Sequence, residues 1–361
     1  MKKNHLIITI VLCLVTLGVL MVYSASSIWS NYKFNDPYYY VKHQLIFMAL
    51  GIIIMYVLSK INYQIYQKKA NWILLICFLL LGLVLIPGIG VIRNGSRSWF
   101  GIGSFGIQPS EAAKIGLIIF MAKYLSKNEK NMGNFKLGAL PILLVIIIFF
   151  VLIMLEPDFG TGMVMVMTLM GMLFVSNIKL SFFANLGVLG LGGVIAIIIA
   201  APYRIARIVS YLNPWSDPLG TGFQIIQSLY AIGPGGLFGL GFGNSIQKHF
   251  YLPEPQTDFI FAIISEEFGF LGVIILGGLY LWLFYLIIKI SYNIPDLFGK
   301  YLAFGLIFGL VLQTALNISV VIGLIPVTGV TLPFFSYGGS SLLVSMASIG
   351  IILNISNNIR T

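Results

Sequence analysis

Long apolar runs separated by short polar breaks repeat along almost the whole 361-residue chain. Crossing about 30 Å of hydrocarbon takes roughly 20 helical residues, so runs of this kind read as membrane helices. In the first half the pattern predicts spans at 6–24, 44–60, 71–88, 111–125 and 137–155. The second half adds 159–176, 180–200, 262–289, 300–321 and 338–356. The expected fold is therefore an all-α polytopic integral membrane protein of about ten transmembrane helices, with a large loop at about 201–261 between helices 7 and 8. The fourth span is the least apolar, with Glu111 and Lys114 in its first turn and Lys123 at its end. It either crosses the membrane or lies along its surface.

Composition agrees with the pattern. The chain is 58% hydrophobic and only 9% charged, where a soluble domain carries about 25% charged residues. Cys13 and Cys77 both sit in apolar runs, which excludes a disulfide framework, and three scattered histidines supply no metal-ligand spacing. Lys2 and Lys3 precede the first apolar run, which lacks a small-x-small cleavage pattern and reads as a retained first helix. No linker, soluble insertion or internal repeat interrupts 1–361, which reads as one membrane domain.

Charge then sets the orientation. Placing both termini in the cytoplasm puts 13 of 21 Lys and Arg in cytoplasmic loops and nine of 11 Asp and Glu toward the outside, as the positive-inside rule requires. The net charge of +10 thus reads as topology and attraction to membrane lipids, with no nucleic-acid partner. The same orientation sends the 25–43, 89–110 and 322–337 loops outside with the 201–261 segment.

Candidate chemistry gathers on that outer side. Four of the 11 acids lie between Glu254 and Glu267. Asp258 opens an apolar run with no cation within four residues, so desolvation is expected to raise its pKa toward that of a general base. Glu266 and Glu267 fall two turns deeper, available to bond neighbouring helices or Lys114. In the 94–114 segment, Pro109 and Ser110 read as a helix start with Ser110 as N-cap. Glu111 and Lys114 share a face, either as an ion pair or as groups orienting a substrate. Arg97 beside Trp99 fits a membrane anchor or a phosphate-and-sugar contact. Arg204 and Arg207, three apart, suit a diphosphate clamp or lipid headgroups, and Lys248 is a further cation. The Gly233–Gly243 run lacks the spacing of a nucleotide loop and reads as a flexible or re-entrant segment.

Five blocks together resemble the SEDS family of peptidoglycan glycosyltransferases, which includes FtsW, RodA and SpoVE. They are SRSWFGIGSFGIQPSEAAK, EPDFGTG, LNPWSDPLGTGFQIIQSLYAIGPGGLFGLGFG, QKHFYLPEPQTDFIFAIISEEFGFLG and PVTGVTLPFFSYGGSS. The NPWSDP and QKHFYLPEPQTDFIF stretches look more like the FtsW and SpoVE branch. The resemblance implies polymerisation of lipid II into glycan strands on the outer face of the bacterial cytoplasmic membrane, for septal or spore-cortex wall. It places the catalytic aspartate at Asp258, with an inverting attack that expels undecaprenyl diphosphate. Arg97, Trp99, Glu111, Lys114, Arg204, Arg207, Lys248 and Glu267 become candidate substrate-binding or supporting residues, and a divalent cation, Mg or Mn, is a candidate to share the charge. The implied partners are a class B penicillin-binding protein and other divisome or sporulation wall-synthesis proteins, with Gly187–Gly193 as one possible helix-contact stripe. Two other classes fit the composition: a lipid II flippase, which would need charge along a full membrane path, and a non-catalytic division scaffold, for which Asp258 would be dispensable.

Overall fold

The computed structural model describes residues 2–93, 95–102, 105–185, 187, 211–220 and 222–358. Helices dominate: α1 (Lys2–Phe34), α2 (Tyr39–Lys60), α3 (Gln64–Val84), α4 (Pro109–Asn128), α5 (Leu140–Leu155) and α6 (Phe159–Phe174). After the 201–261 segment's short α7 (Phe223–Ile232) come α8 (Ile260–Ser291), α9 (Leu297–Val321) and α10 (Gly339–Asn358). Among the described residues seven helical stretches are long and apolar enough to cross a membrane, and α6 is a shorter apolar one. The predicted 180–200 span is helical over 180–185 and otherwise lies outside the described residues, as do Arg204 and Arg207 and, beyond Gly187, the small-residue stripe.

The fourth span is settled by packing. α4 lies inside the bundle against α3, α6, α9 and α10, and twelve of its 20 residues are buried, Glu111 and Lys114 among them. Its charges are tolerated because helices, not lipid, surround them.

Three sequence expectations are corrected. α1 continues to Phe34, well past residue 24 where its hydropathy ends; Ala25, Ser26 and Ser30 of the extension are buried against protein, while Tyr32 and Phe34 near its end are exposed. Ser26 there bonds the Val22 carbonyl, and Trp29 and Tyr32 meet Phe250 edge-on. The 89–110 loop, within an expected all-α fold, carries strands: β1 (Val91–Arg93), β2 (Ser96–Ile102) and β3 (Phe105–Ile107) form a three-stranded antiparallel sheet in the order β1-β2-β3. Among the described residues the regular structure is thus helical apart from this one small sheet. Finally, α4 begins at Pro109, whose missing N–H suits the first helical position, with Gln108 as the cap residue. Ser110, released from capping, bonds Asp158 instead.

The glycine run packs against α8 for a physical reason. α8 breaks at Gly269, whose φ of +62° and ψ of −161° only glycine adopts readily. The break frees backbone groups inside an apolar bundle, where each must find a partner. The Gly-rich segment supplies them: Leu240 and Gly241 N–H donate to the Glu266 and Glu267 carbonyls, and Phe270 and Leu271 N–H donate to Gly236 and Leu237. The approach is so close that a Cβ on Gly239 would lie 2.2 Å from the Glu267 carbonyl oxygen.

Candidate active site

Loops far apart in sequence meet at one end of the bundle. Tyr337 N–H donates to the Gln256 carbonyl at 2.8 Å, joining the 322–337 loop to the segment before α8. Gln108 N–H donates to Ser340 Oγ at 2.9 Å, joining the sheet to the start of α10. Asp158, the N-cap of α6, accepts from Gln108 Nε2 at 2.6 Å and from Ser110 at 3.2 Å. The 89–110, 322–337 and 253–259 segments therefore share one end, as the charge pattern predicts.

Asp258 is half-buried at that end, two residues before α8. Burial pushes its carboxyl above the ordinary range. The Thr257 hydroxyl, 2.5 Å from Oδ1, works against that rise, and the charge of Glu254 adds to it. Its main-chain carbonyl accepts from Asn317 Nδ2 at 2.8 Å. Gly329 (φ +71°) approaches Oδ2, and a Cβ there would stand 4.0 Å away, at ordinary contact distance. Among the described residues no three His, Cys, Asp or Glu side chains converge as a metal site. Asp258 and Glu254 alone do not amount to a ligand set for a divalent cation.

Glu111 and Lys114 form the ion pair, 2.9 Å apart and buried. Lys114 Nζ also donates to Gln313 Oε1 on α9 at 3.0 Å. Lys248 and Glu267 prove to be internal. Lys248 Nζ donates to Glu267 Oε1 at 3.1 Å, Ser24 Oγ at 3.2 Å and the Gly243 carbonyl at 2.5 Å. With the residue only 4% exposed, Lys248 is no open cation for a leaving group. Glu266 accepts from Ser245 Oγ at 2.5 Å and from Ile246 N–H at 2.8 Å. Both glutamates thus tie the 243–248 turn to α8, and neither bonds Lys114.

On the sheet, Arg93 rather than Arg97 lies over Trp99, with its guanidinium carbon 5.1 Å from the ring centroid. Register explains this: Trp99 pairs with Val91, so Arg93, two residues along β1, leans across the ring. Arg97 turns toward the C-terminal end of α3, its Nη1 3.4 Å from the Leu85 carbonyl, a favourable place for a cation.

The sequence reading passed over Asn317, Gln313 and Glu156. The first two are amides four apart in an apolar span, and polar groups at membrane depth were the available signal. Glu156 follows α5, is fully buried, and neither carboxylate oxygen has a hydrogen-bond partner. Burial and the neighbouring Asp158 push its pKa up to about 8. The unfolded chain releases that proton near about 4.3. Glu156 therefore favours the folded state fully below about 4.3, and this contribution is lost as pH rises to about 8. In detergent, the wild-type melting temperature is expected to fall more between about pH 5 and 8 than that of Glu156→Gln. Equal slopes would mean that Glu156 is ionised in the folded protein.

The sequence profile of the cell cycle protein family of FtsW, RodA and SpoVE matches residues 4–361. Stage V sporulation protein E of Bacillus subtilis is 52% identical over 359 residues, covering 99% of this chain and 98% of that protein. A probable peptidoglycan glycosyltransferase FtsW of Coxiella burnetii is 43% identical over 352 residues, covering 97% and 95%. Among solved structures, a chain described under the structural coordination of polymerization and crosslinking by a peptidoglycan synthase complex superposes with a TM-score of 0.80 at 30% identity. The match covers 98% of this chain and 97% of that one.

Proposed function

Because this chain belongs to the cell cycle protein family of FtsW, RodA and SpoVE, we infer that it is a multi-pass membrane peptidoglycan glycosyltransferase that polymerises lipid II on the outer face of the cytoplasmic membrane. The observation that carries the reading to a mechanism is Asp258: a half-buried carboxyl with a raised pKa, held by Thr257 at Oδ1, where a polar loop meets the membrane. A general base works best with a pKa brought toward the working pH. Asp258 takes the proton of the acceptor's GlcNAc 4-hydroxyl as that oxygen attacks the anomeric carbon of the donor's MurNAc. The bond to undecaprenyl diphosphate breaks on the opposite face, so configuration inverts.

Negative charge develops on the departing diphosphate, and cations placed there before reaction stabilise the transition state most. Arg93 and Arg97 on the sheet are the half-buried cations that suit this role, together with Arg204 and Arg207 of the long loop. Lys114, Glu111, Lys248 and Glu267 support the site from within. Trp99, backed by Arg93, offers a flat face to a sugar. The partner is a class B penicillin-binding protein, a reading supported by the likeness to a chain of a synthase complex that also crosslinks. The relatives' names point to septal or spore-cortex wall as the product's destination.

The direct test supplies fluorescent lipid II to the purified protein with its penicillin-binding partner and resolves the products by gel. A ladder of glycan strands is expected. Lipid II movement across vesicles without any ladder would instead favour transport.

A further inference from the structure

α9 crosses between the Asp258 turn and the Lys114–Glu111 pair, and two of its amides reach both. Gln313 and Asn317 are four residues apart and so share one face of the helix. Asn317 Nδ2 donates to the Asp258 carbonyl at 2.8 Å and to the Val330 carbonyl at 2.7 Å. One turn below, Gln313 Nε2 donates to the Thr331 carbonyl and to Ser341 Oγ, both at 3.1 Å. Its Oε1 accepts from Lys114 Nζ at 3.0 Å, and Lys114 holds Glu111 at 2.9 Å. Thr331 Oγ1 closes the ring onto Ser341 Oγ at 2.9 Å.

We propose that Asn317 and Gln313 are positioning residues that hold the Asp258 turn and the 330–331 loop at a fixed distance from the Lys114–Glu111 pair. The proposal rests on the glycosyltransferase reading and gives a role to two residues outside the proposed chemistry. Three observations carry it. The two side chains are 1% and 5% exposed, so neither can touch a sugar. Both hydrogens of each amide are spent on loop carbonyls or hydroxyls, not on a neighbouring helix backbone. Asn317 Oδ1 is left buried without a partner, a cost that an apolar residue would avoid and that persists here because both donors are engaged. Misplacing a catalytic group by about 1 Å can lower a rate about 10²-fold, so a clamp of this kind acts on turnover more than on binding.

The test uses full-length protein with its penicillin-binding partner and labelled lipid II. Gln313→Glu keeps an acceptor for Lys114 and removes the donors to Thr331 and Ser341. Asn317→Asp removes the donors to Asp258 and Val330 and adds a carboxyl beside Asp258. For both, kcat is expected to fall about tenfold or more with KM within about twofold; the melting temperature stays near wild type for Gln313→Glu, which faces Lys114, and falls for Asn317→Asp, whose carboxyl is buried without a counter-charge. In the Asn317→Asp variant the acid limb of the rate profile moves to higher pH, since a second carboxylate disfavours ionised Asp258. A kcat and acid limb unchanged in both folded variants would overturn the proposal and leave the glycosyltransferase reading intact. Loss of fold by both would also overturn it, making the amides part of the packing core. No polymer from wild type would remove the reading beneath it.

Discussion

Asp258→Asn and Asp258→Ala are expected to form no glycan strands while remaining folded and binding lipid II. Removing a positioned general base costs about 10²–10⁴ in rate, enough to empty the ladder on a gel. Asn keeps the shape and the contact with Thr257 but cannot accept the proton, so it separates chemistry from packing. The wild-type profile should show the complementary feature. Burial raises the Asp258 carboxyl and Glu254 adds to the rise, so the rate falls as pH drops through a value above the ordinary ~3.9 of an aspartate. Asp258→Glu should retain some activity, since it restores a base on a longer arm. Full polymerisation by the Asn variant, with an unchanged acid limb, would take Asp258 out of the mechanism.

What the sequence disclosed followed from one-dimensional signals, and what it withheld depended on contacts across the bundle. Hydropathy located the long spans because lipid exposure is written in consecutive apolar residues. It stopped α1 at residue 24, since the last ten residues of that helix carry serines and aromatics, of which Ser26 and Ser30 are buried against protein while Tyr32 and Phe34 are exposed. Asp258 was legible because a lone acid at the mouth of an apolar run is costly. The destination of Lys248 was not. A lysine in a polar loop reads as open, and only the fold brings Ser24, 224 residues away, to its ammonium. Arg93 was missed for a similar reason: the strand register that lays it over Trp99 is invisible without knowing that β1 and β2 pair. The glycine run was read as flexible or re-entrant; what holds it in place, the break of α8 at Gly269, lies 26 residues beyond Gly243 and appears only in the rerouted backbone bonds.

Lys248→Ala should cost fold before it costs chemistry. Glu267 is fully buried and its Oε1 is held by Lys248, Ser24 and the Ser245 N–H, while Oε2 has no partner. Truncating the lysine leaves that carboxylate buried without a counter-charge, a change worth about 3–5 kcal/mol against a typical total of about 5–15 kcal/mol. Folded protein recovered in detergent should drop sharply and melt at lower temperature. The double variant Lys248→Met with Glu267→Gln removes both charges at nearly constant volume and keeps an acceptor for Ser24, so most of the stability should return. Its activity then decides what the lysine is for. If Lys248 only holds the 243–248 turn against α8, the double variant polymerises lipid II at a rate within a few-fold of wild type. Were its ammonium instead to act on the departing diphosphate, the double variant would be folded and nearly inactive, because a neutral methionine offers that charge nothing. The buried pair makes the first outcome the expected one: an ammonium already giving its hydrogens to a carboxylate, a hydroxyl and a carbonyl has none left for substrate.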